Sequence, residues 1–431
     1  MKVFINPPQS EWPELLSRPV YDPAELEAKV APVMQAVRDR GDAALKEFTQ
    51  RFDQVDLERF AVPQDQIASA ESLLSEELKQ AIQLAEQNIR KFHQAQASPL
   101  LKVETMPGVS CWRRSLPIEK VGLYIPGGSA PLFSTILMLG IPASIAGCKQ
   151  IILCTPPGKD QQVHPAILYT ASLLGIKQVF QVGGAQAIAA MAYGTEQIPQ
   201  VDKIFGPGNQ YVTIAKQLAA KEGMAIDMPA GPSELAVVAD ETAIPAFVAA
   251  DLLSQAEHGP DSQVLLITDS TAMVEAVQEA LDRQLALLPR QGIAEQALAH
   301  SRAFVMADRT SMVSLINAYA PEHLILAVDR DEEMALQITH AGSVFLGNYT
   351  PESVGDYASG TNHTLPTNGF ARAYSGVSLD SFVKKITYQK LSREGLQNLG
   401  PAVENMAQAE ELEAHKRAVS IRLATLKEKE S

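Results

Sequence analysis

Cysteine is scarce in this chain: three residues in 431, Cys111, Cys148 and Cys154, with no C-x-x-C among them. An odd number cannot close into a full set of internal disulfides, so a disulfide-stapled secreted scaffold is excluded. The three thiols read as small, buried apolar residues in a reducing cytoplasm. Long apolar runs are also missing. The best, "APLFSTILMLGIPASIAG" at 130–147, is interrupted by Pro131, Ser134, Thr135, Gly140 and Pro142, as buried protein is and a membrane span is not. The opening segment, "MKVFINPPQSEWPELL", has no apolar core of signal-peptide length, so a cytoplasmic location is expected. Positive charge is in deficit: 36 Lys and Arg face 50 Asp and Glu, a net charge of −14 that repels nucleic acid and acidic membranes. Small anionic ligands are not excluded, because they need only a local positive pocket. Three common signatures are absent as well: G-x-G-x-x-G, H-E-x-x-H and G-x-S-x-G.

What is present describes a soluble globular enzyme of ordinary composition, with 46% apolar and 20% charged residues and length enough for two or more domains. Residues 22–100 show apolar positions at three- and four-residue spacing and predict helices. In "SEELKQAIQLAEQNIRKFHQAQ", Ser75 is the expected cap, followed by an acidic first turn. From about residue 118 the pattern changes to short buried strands, glycine turns and helices in succession, through "IEKVGLYIPGG", "KQIILCTPP", "KQVFQVGGAQAIAAMAYG" and "VDKIFGPGNQYVTIAKQLAAKEG". Further strands are expected at "SELAVVAD", "SQVLLITDS", "RAFVMAD", "HLILAV" and "AGSVFLG". This βα order calls for parallel sheets with right-handed crossovers. The tail from "LDSFVKK" onward is expected to be mostly helical and charged.

Glycine turns between strand and helix suit phosphates, since the helix N-terminus offers free N–H groups. Three occur in successive βα units: "PGGSAP" (126–131), "VGGAQA" (182–187) and "FGPGNQ" (205–210). Each alone reads as a tight turn, but three together point to a ligand at the strand C-termini. Of the eight histidines, His93 and His300 lie in polar helical stretches and read as surface residues, while His164 and His340 read as structural. His258 follows Gln255 by three, on one helix face, in "DLLSQAEHGPDS". In isolation that pair reads as a helix surface, although imidazole is a good zinc ligand and a glutamine oxygen a weak one. "PEHLIL" sets Glu322 beside His323, and "ESVGDYASGTNHTLPT" (352–367), which carries Asp356 and His363, is too long for a mere connector. "AEELEAH" (409–415) reads by default as a solvated helix face.

Together, "VGLYIPGG", "VGGAQAIAA", "FGPGNQYV", "DMPAGPSE", "DLLSQAEHGPDS", "YAPEHL", "GDYASGTNHTLPT" and "EELEAH" resemble the histidinol dehydrogenase family, in its order and at its spacing, over almost the whole chain. The resemblance implies two incomplete Rossmann-like α/β domains with parallel sheets, a small N-terminal segment and a helical C-terminal tail domain. On that pattern the chain divides into an extension at 1–23, a discontinuous domain of 24–123 and 235–377 with metal and catalytic residues, an NAD-side domain at 124–234, and a tail at 378–431 reaching a partner subunit. It further implies zinc held by Gln255, His258, Asp356 and His415, with Glu322 and His323 catalytic. Ser233, His363 and Glu410 would join His323 and the zinc ligands around the substrate, and Tyr124, Gln186 and Asn209 would contact NAD. One position departs: Glu411 stands where the family's "EGL" version of the tail motif has glycine, and is expected to face water.

The implied reaction is the four-electron oxidation of L-histidinol to L-histidine with two NAD and one water, through a bound aldehyde, in a homodimer that shares its active sites. His323 would take the carbinol protons and Glu322 would activate the water that hydrates the aldehyde. Zinc is redox-inert and would act chiefly as a template for the substrate's imidazole and amino nitrogens. Alternatives are a dehydrogenase of a related amino alcohol, a zinc hydrolase with Glu322 or Glu257 as base, and a non-enzymatic two-domain binding protein.

Overall fold

Short aliphatic and β-branched runs such as "ELAVVA" and "QVLLIT" are buried on both faces in this protein, the burial that central strands of a parallel sheet require. The computed structural model describes residues 1–19, 22–127, 131–229 and 231–428. The chain forms two compact units: Met1–Gln96 with Ile118–Phe382, and Ala97–Pro117 with Val383–Ser431.

The first unit holds two parallel sheets. One runs in the order Gln178–Gln181, Gln150–Thr155, Lys120–Tyr124, Lys203–Phe205, Ala225–Ile226. The other runs Lys2–Ile5, Arg302–Val305, Gln263–Thr268, Glu234–Ala239, His323–Ala327, Ser343–Leu346. Apart from the edge strand Lys2–Ile5, the chain enters each sheet at a central strand, winds outward to one side and then reverses to the other. The reversal opens a crevice beside Lys120–Tyr124 in the first sheet and beside Glu234–Ala239 in the second.

Both sheets are covered on two faces. Helices Pro23–Arg40, Asp42–Phe48, Gly184–Tyr193 and Gln210–Lys221 share one core on the five-stranded sheet, and Glu76–Ala95, Phe133–Ala146 and Pro165–Leu173 share the other. Helices Pro245–Ala256, Thr271–Leu285 and Gln291–Ala299 cover one face of the six-stranded sheet, with Arg309–Tyr319 and Trp12 on the opposite face. The N-terminal helices, grouped with 235–377 in the sequence division, therefore pack on the sheet of residues 120–226. The extension supplies an edge strand through Lys2–Ile5. As expected, Ser75 accepts from the Leu78 N–H ahead of an acidic first turn. The apolar run at 133–146 is a buried helix, and among the described residues no helix is long and apolar enough to cross a membrane. The cysteines are free, Cys154 buried and the other two half-buried.

The tail in the second unit is mostly helical, as expected, with one addition. The tail begins with a strand, Val383–Leu391, which pairs antiparallel with Val109–Pro117, itself paired with Leu101–Met106. "VKKITYQKL" carries β-branched and aromatic residues whose strand preference is realised by pairing with a segment some 270 residues earlier. Trp112 and Tyr388 stack across that pairing with centroids 5.4 Å apart. Helices Arg393–Ala409 and Glu413–Glu428 follow, meeting where Gly400 leaves room for Leu423.

Candidate active site

Tyr124 ends the central strand of the five-stranded sheet, so its side chain stands at the crevice that the reversal opens. The hydroxyl accepts the Gly184 N–H at 3.1 Å, and burial pushes its pKa up to about 12. Gln186 lies two residues on, buried in the first turn of Gly184–Tyr193. Asn209 caps the helix Gln210–Lys221 by accepting from the N–H groups of Tyr211 and Val212, both at 3.1 Å, and is itself exposed. Gly206 just before it has φ +131°, and any Cβ there would run into the Tyr124 carbonyl. "VGGAQA" and "FGPGNQ" thus both close on Tyr124. In "PGGSAP", Gly128, Ser129 and Ala130 lie outside the described residues.

The second cluster forms at the opposite end of the other sheet's strands. Glu234 begins one strand and His323 its neighbour, with His323 in register with Leu235, so Glu322, His323, Ser233 and Glu234 gather at the strand N-termini. Glu322 accepts the Glu234 N–H at 2.9 Å, while burial pushes its carboxyl up to about 8. His323 has Nδ1 at 3.3 Å from the Glu234 carbonyl oxygen, 3.7 Å from Glu322 and 3.6 Å from Glu352, and Nε2 at 3.4 Å from Asp356. Burial alone would lower its pKa, but Glu352, Glu322 and Asp356 outweigh it and raise it to about 10. Ser233 is half-buried, and its carbonyl accepts the Gln263 N–H at 3.2 Å.

Gln255 is the penultimate residue of the helix Pro245–Ala256, which packs against the helix Glu352–Tyr357. Gln255 is 0% exposed, yet among the described residues neither its Oε1 nor its Nε2 has a hydrogen-bond partner. His258 lies beyond the helix end, its N–H bonded to the Gln255 carbonyl at 3.2 Å. It is exposed, yet enough protein surrounds the ring for desolvation to lower its pKa, with Asp356 opposing and His323 and His363 assisting. Asp356 is crowded by burial, but His323, His363 and His258 hold its carboxyl low. Its Oδ1, like His323 Nε2, makes no hydrogen bond among the described residues. His363 is fixed at both nitrogens, Nδ1 at 2.8 Å from the Asp356 carbonyl and Nε2 at 3.2 Å from Thr135 Oγ1, and burial lowers its pKa. Among the described residues, His323, Asp356 and Glu352 form the one group of three His, Cys, Asp or Glu side chains whose donor atoms all lie within 4.8 Å of one another. Buried polar atoms left without partners are costly, so this donor set fits a cation that would satisfy them.

Glu410 and His415 belong to the second unit and are exposed there, at the end of Arg393–Ala409 and in the first turn of Glu413–Glu428. Glu411 between those helices is exposed, as expected, and has φ +59°. That left-handed position after a helix favours glycine, which is why an "EGL" version is natural there.

Three features escaped sequence reasoning. Glu352 precedes Asp356 by one helical turn, a spacing that could have flagged it. Glu234 is buried and paired with Arg18, which lies over 200 residues away in sequence. His93 is fully buried, not on the surface, with Nδ1 at 2.8 Å from the Ile89 carbonyl. It lies on the helix's buried stripe with Ile82, Ala85 and Ile89, one turn after Ile89.

A family model described as Histidinol dehydrogenase matches residues 16–423. The chain belongs to the histidinol dehydrogenase family. The family's enzyme from Bacteroides thetaiotaomicron is 56% identical over 427 residues, covering 99% of this chain and all of that one. The histidinol dehydrogenase of Vibrio parahaemolyticus is 55% identical over 415 residues, with 96% and 95% coverage. The crystal structure of histidinol dehydrogenase from Elizabethkingia anophelis superposes with a TM-score of 0.97 at 57% identity, covering 99% of each chain. The chain is accordingly an oxidoreductase of the histidinol dehydrogenase family, with the parallel α/β architecture read from its sequence.

Proposed function

We propose that this protein oxidises L-histidinol to L-histidine with two NAD and one water, using Glu322 and His323 as its catalytic pair. The observation that carries the reading is Asp356, whose buried Oδ1 is left without a hydrogen-bond partner among the described residues, 3.4 Å from His323 Nε2, in a chain of this family. Gln255, His258 and Asp356 would hold zinc, with His415 supplied by a second copy of the chain. A zinc ion there would supply a redox-inert positive centre that orients the substrate's imidazole and amino nitrogens, while NAD accepts hydride.

The chain's own residues do the rest. His323 removes the carbinol proton in each oxidation, with Nδ1–H directed at the Glu234 carbonyl and Nε2 free to accept. The carboxylates that raise its pKa are those a cation at Asp356 would partly neutralise, bringing the imidazole toward the range where it exchanges protons. Glu322, held by the Glu234 N–H and buried beside the ring, activates the water that hydrates the aldehyde. Ser233, His363 and, from the second copy, Glu410 contact the substrate. Tyr124, Gln186 and Asn209 line the NAD side, supported by their gathering at the crevice of the five-stranded sheet. The working form is a cytoplasmic homodimer with shared sites.

The test is stoichiometry. Limiting histidinol should yield two NADH per molecule. A yield of one, with aldehyde released, would overturn the four-electron reading.

A further inference from the structure

Gly206 follows the strand Lys203–Phe205 with φ +131°, and any Cβ there would run into the Tyr124 carbonyl. Both of its backbone polar groups are satisfied by side chains. Asp227 Oδ2 accepts the Gly206 N–H at 2.8 Å, and Lys216 Nζ donates to the Gly206 carbonyl at 2.9 Å. Those two side chains are themselves an ion pair, Lys216 Nζ with Asp227 Oδ1, at 5% and 1% exposure. Asp227 Oδ1 also accepts the Met228 N–H at 2.8 Å, and the Asp227 N–H bonds the Ile204 carbonyl at 3.0 Å. Charges buried this deeply are not needed to fill space, because apolar side chains of similar volume are often as stable or more so. What apolar side chains cannot do is hold one glycine by both its donor and its acceptor. The turn "FGPGN" is thus gripped from the helix after it, which carries Lys216, and from the end of the strand Ala225–Ile226 beside it, which leads into Asp227. Gly206 lies against Tyr124, and three residues on Asn209 caps that same helix with its own side chain exposed.

We propose that Lys216 and Asp227 are positioning residues for the dinucleotide: their buried ion pair clamps Gly206, fixes the turn "FGPGN" against Tyr124 and so sets Asn209 where NAD is bound. Neither touches the cofactor, and both act through Gly206. The inference rests on the reading of Tyr124, Gln186 and Asn209 as the NAD side.

The experiment compares Lys216→Met with the parent enzyme, both zinc-loaded and well below their melting midpoints, by steady-state kinetics and by fluorescence titration with NADH. Loss of the charged donor to Gly206 should raise the KM for NAD and the Kd for NADH by about tenfold or more. Zinc content, kcat at saturating NAD and the KM for histidinol should stay where they were. Parental values for both nucleotides would overturn the proposal. So would an equal rise in the KM for histidinol, because a general loosening of the fold acts on both substrates. Asn209→Ala runs beside it. If that variant binds NADH as the parent does, the NAD-side reading falls; if it binds weakly while Lys216→Met binds normally, only the clamp falls. Lys216→Met leaves Asp227 buried without its countercharge, so should it not fold, Lys216→Met/Asp227→Asn decides. That double variant removes both charges, keeps an acceptor for the Gly206 N–H and loses the donor to its carbonyl. A raised KM for NAD at normal KM for histidinol supports the clamp, and a parental KM for NAD rejects it.

Discussion

Replacing Arg18 by methionine should cost the protein far more than loss of an ordinary surface charge. The guanidinium meets the Glu234 carboxylate at 2.5 Å and 2.8 Å, donates to the Tyr319 carbonyl at 2.7 Å and lies 4.1 Å over the Tyr319 ring. Both partners are nearly out of solvent, with side-chain exposures of 11% and 2%. Methionine keeps much of the volume but leaves Glu234 buried without its countercharge, a loss of about 3–5 kcal/mol. An unfolding entropy of ~2.1 cal/mol/K per residue, over the roughly 360 residues of the larger unit, turns this into a melting midpoint lower by about 4–7 °C. The deficit should also follow pH with a definite sign. Burial pushes the Glu234 carboxyl above its ordinary value of 4.5, and Arg18 opposes that rise. Without Arg18 the native state binds the proton more tightly than the unfolded chain, so stability falls as pH climbs above the ordinary carboxyl value. Thermal melts at about pH 5 and about pH 8 should therefore show the larger deficit at the higher pH. Arg18→Met/Glu234→Gln removes the buried charge and should recover part of the midpoint and lose the added pH dependence. An unchanged midpoint in Arg18→Met, or a deficit that grows toward acid, would refute the argument.

Further outcomes follow from the same geometry. Glu322→Gln should slow the second oxidation by about 10²–10⁴-fold, so stopped-flow with limiting histidinol would show a burst of one NADH; equal slowing of both oxidations would remove Glu322 from the hydration step. Mixing inactive His258→Ala and His415→Ala chains should restore activity, because a heterodimer would contain one intact metal set. Heterodimers that form and stay inactive would reject sharing. Glu411→Gly relieves a left-handed backbone at φ +59° and should raise stability by up to about 1 kcal/mol in denaturant melts, with unchanged kcat and KM. A destabilised variant would mean that Glu411 makes a contact worth more than the strain.

Strands were legible wherever a local pattern sufficed. "ELAVVA", "QVLLIT" and "HLILA" are continuous aliphatic runs, and such runs are buried on both faces of any parallel sheet. "VKKITYQKL" was not, because its strand exists only through pairing with Val109–Pro117. His93 was misjudged for a similar reason: its neighbours are polar, and only the packed face of its helix buries it.

At the site, the amino-acid sequence alone determined the chemistry available: which imidazoles, carboxylates and amide stand in which motif, and the family whose pattern they match. Tertiary structure decided their surroundings. Desolvation and charge depend on every group that surrounds an atom in space, so no local pattern could show that Glu352 closes on His323 or that Gln255 is buried without a partner among the described residues. Nor could it show that Arg18 neutralises Glu234, whose own N–H steadies Glu322.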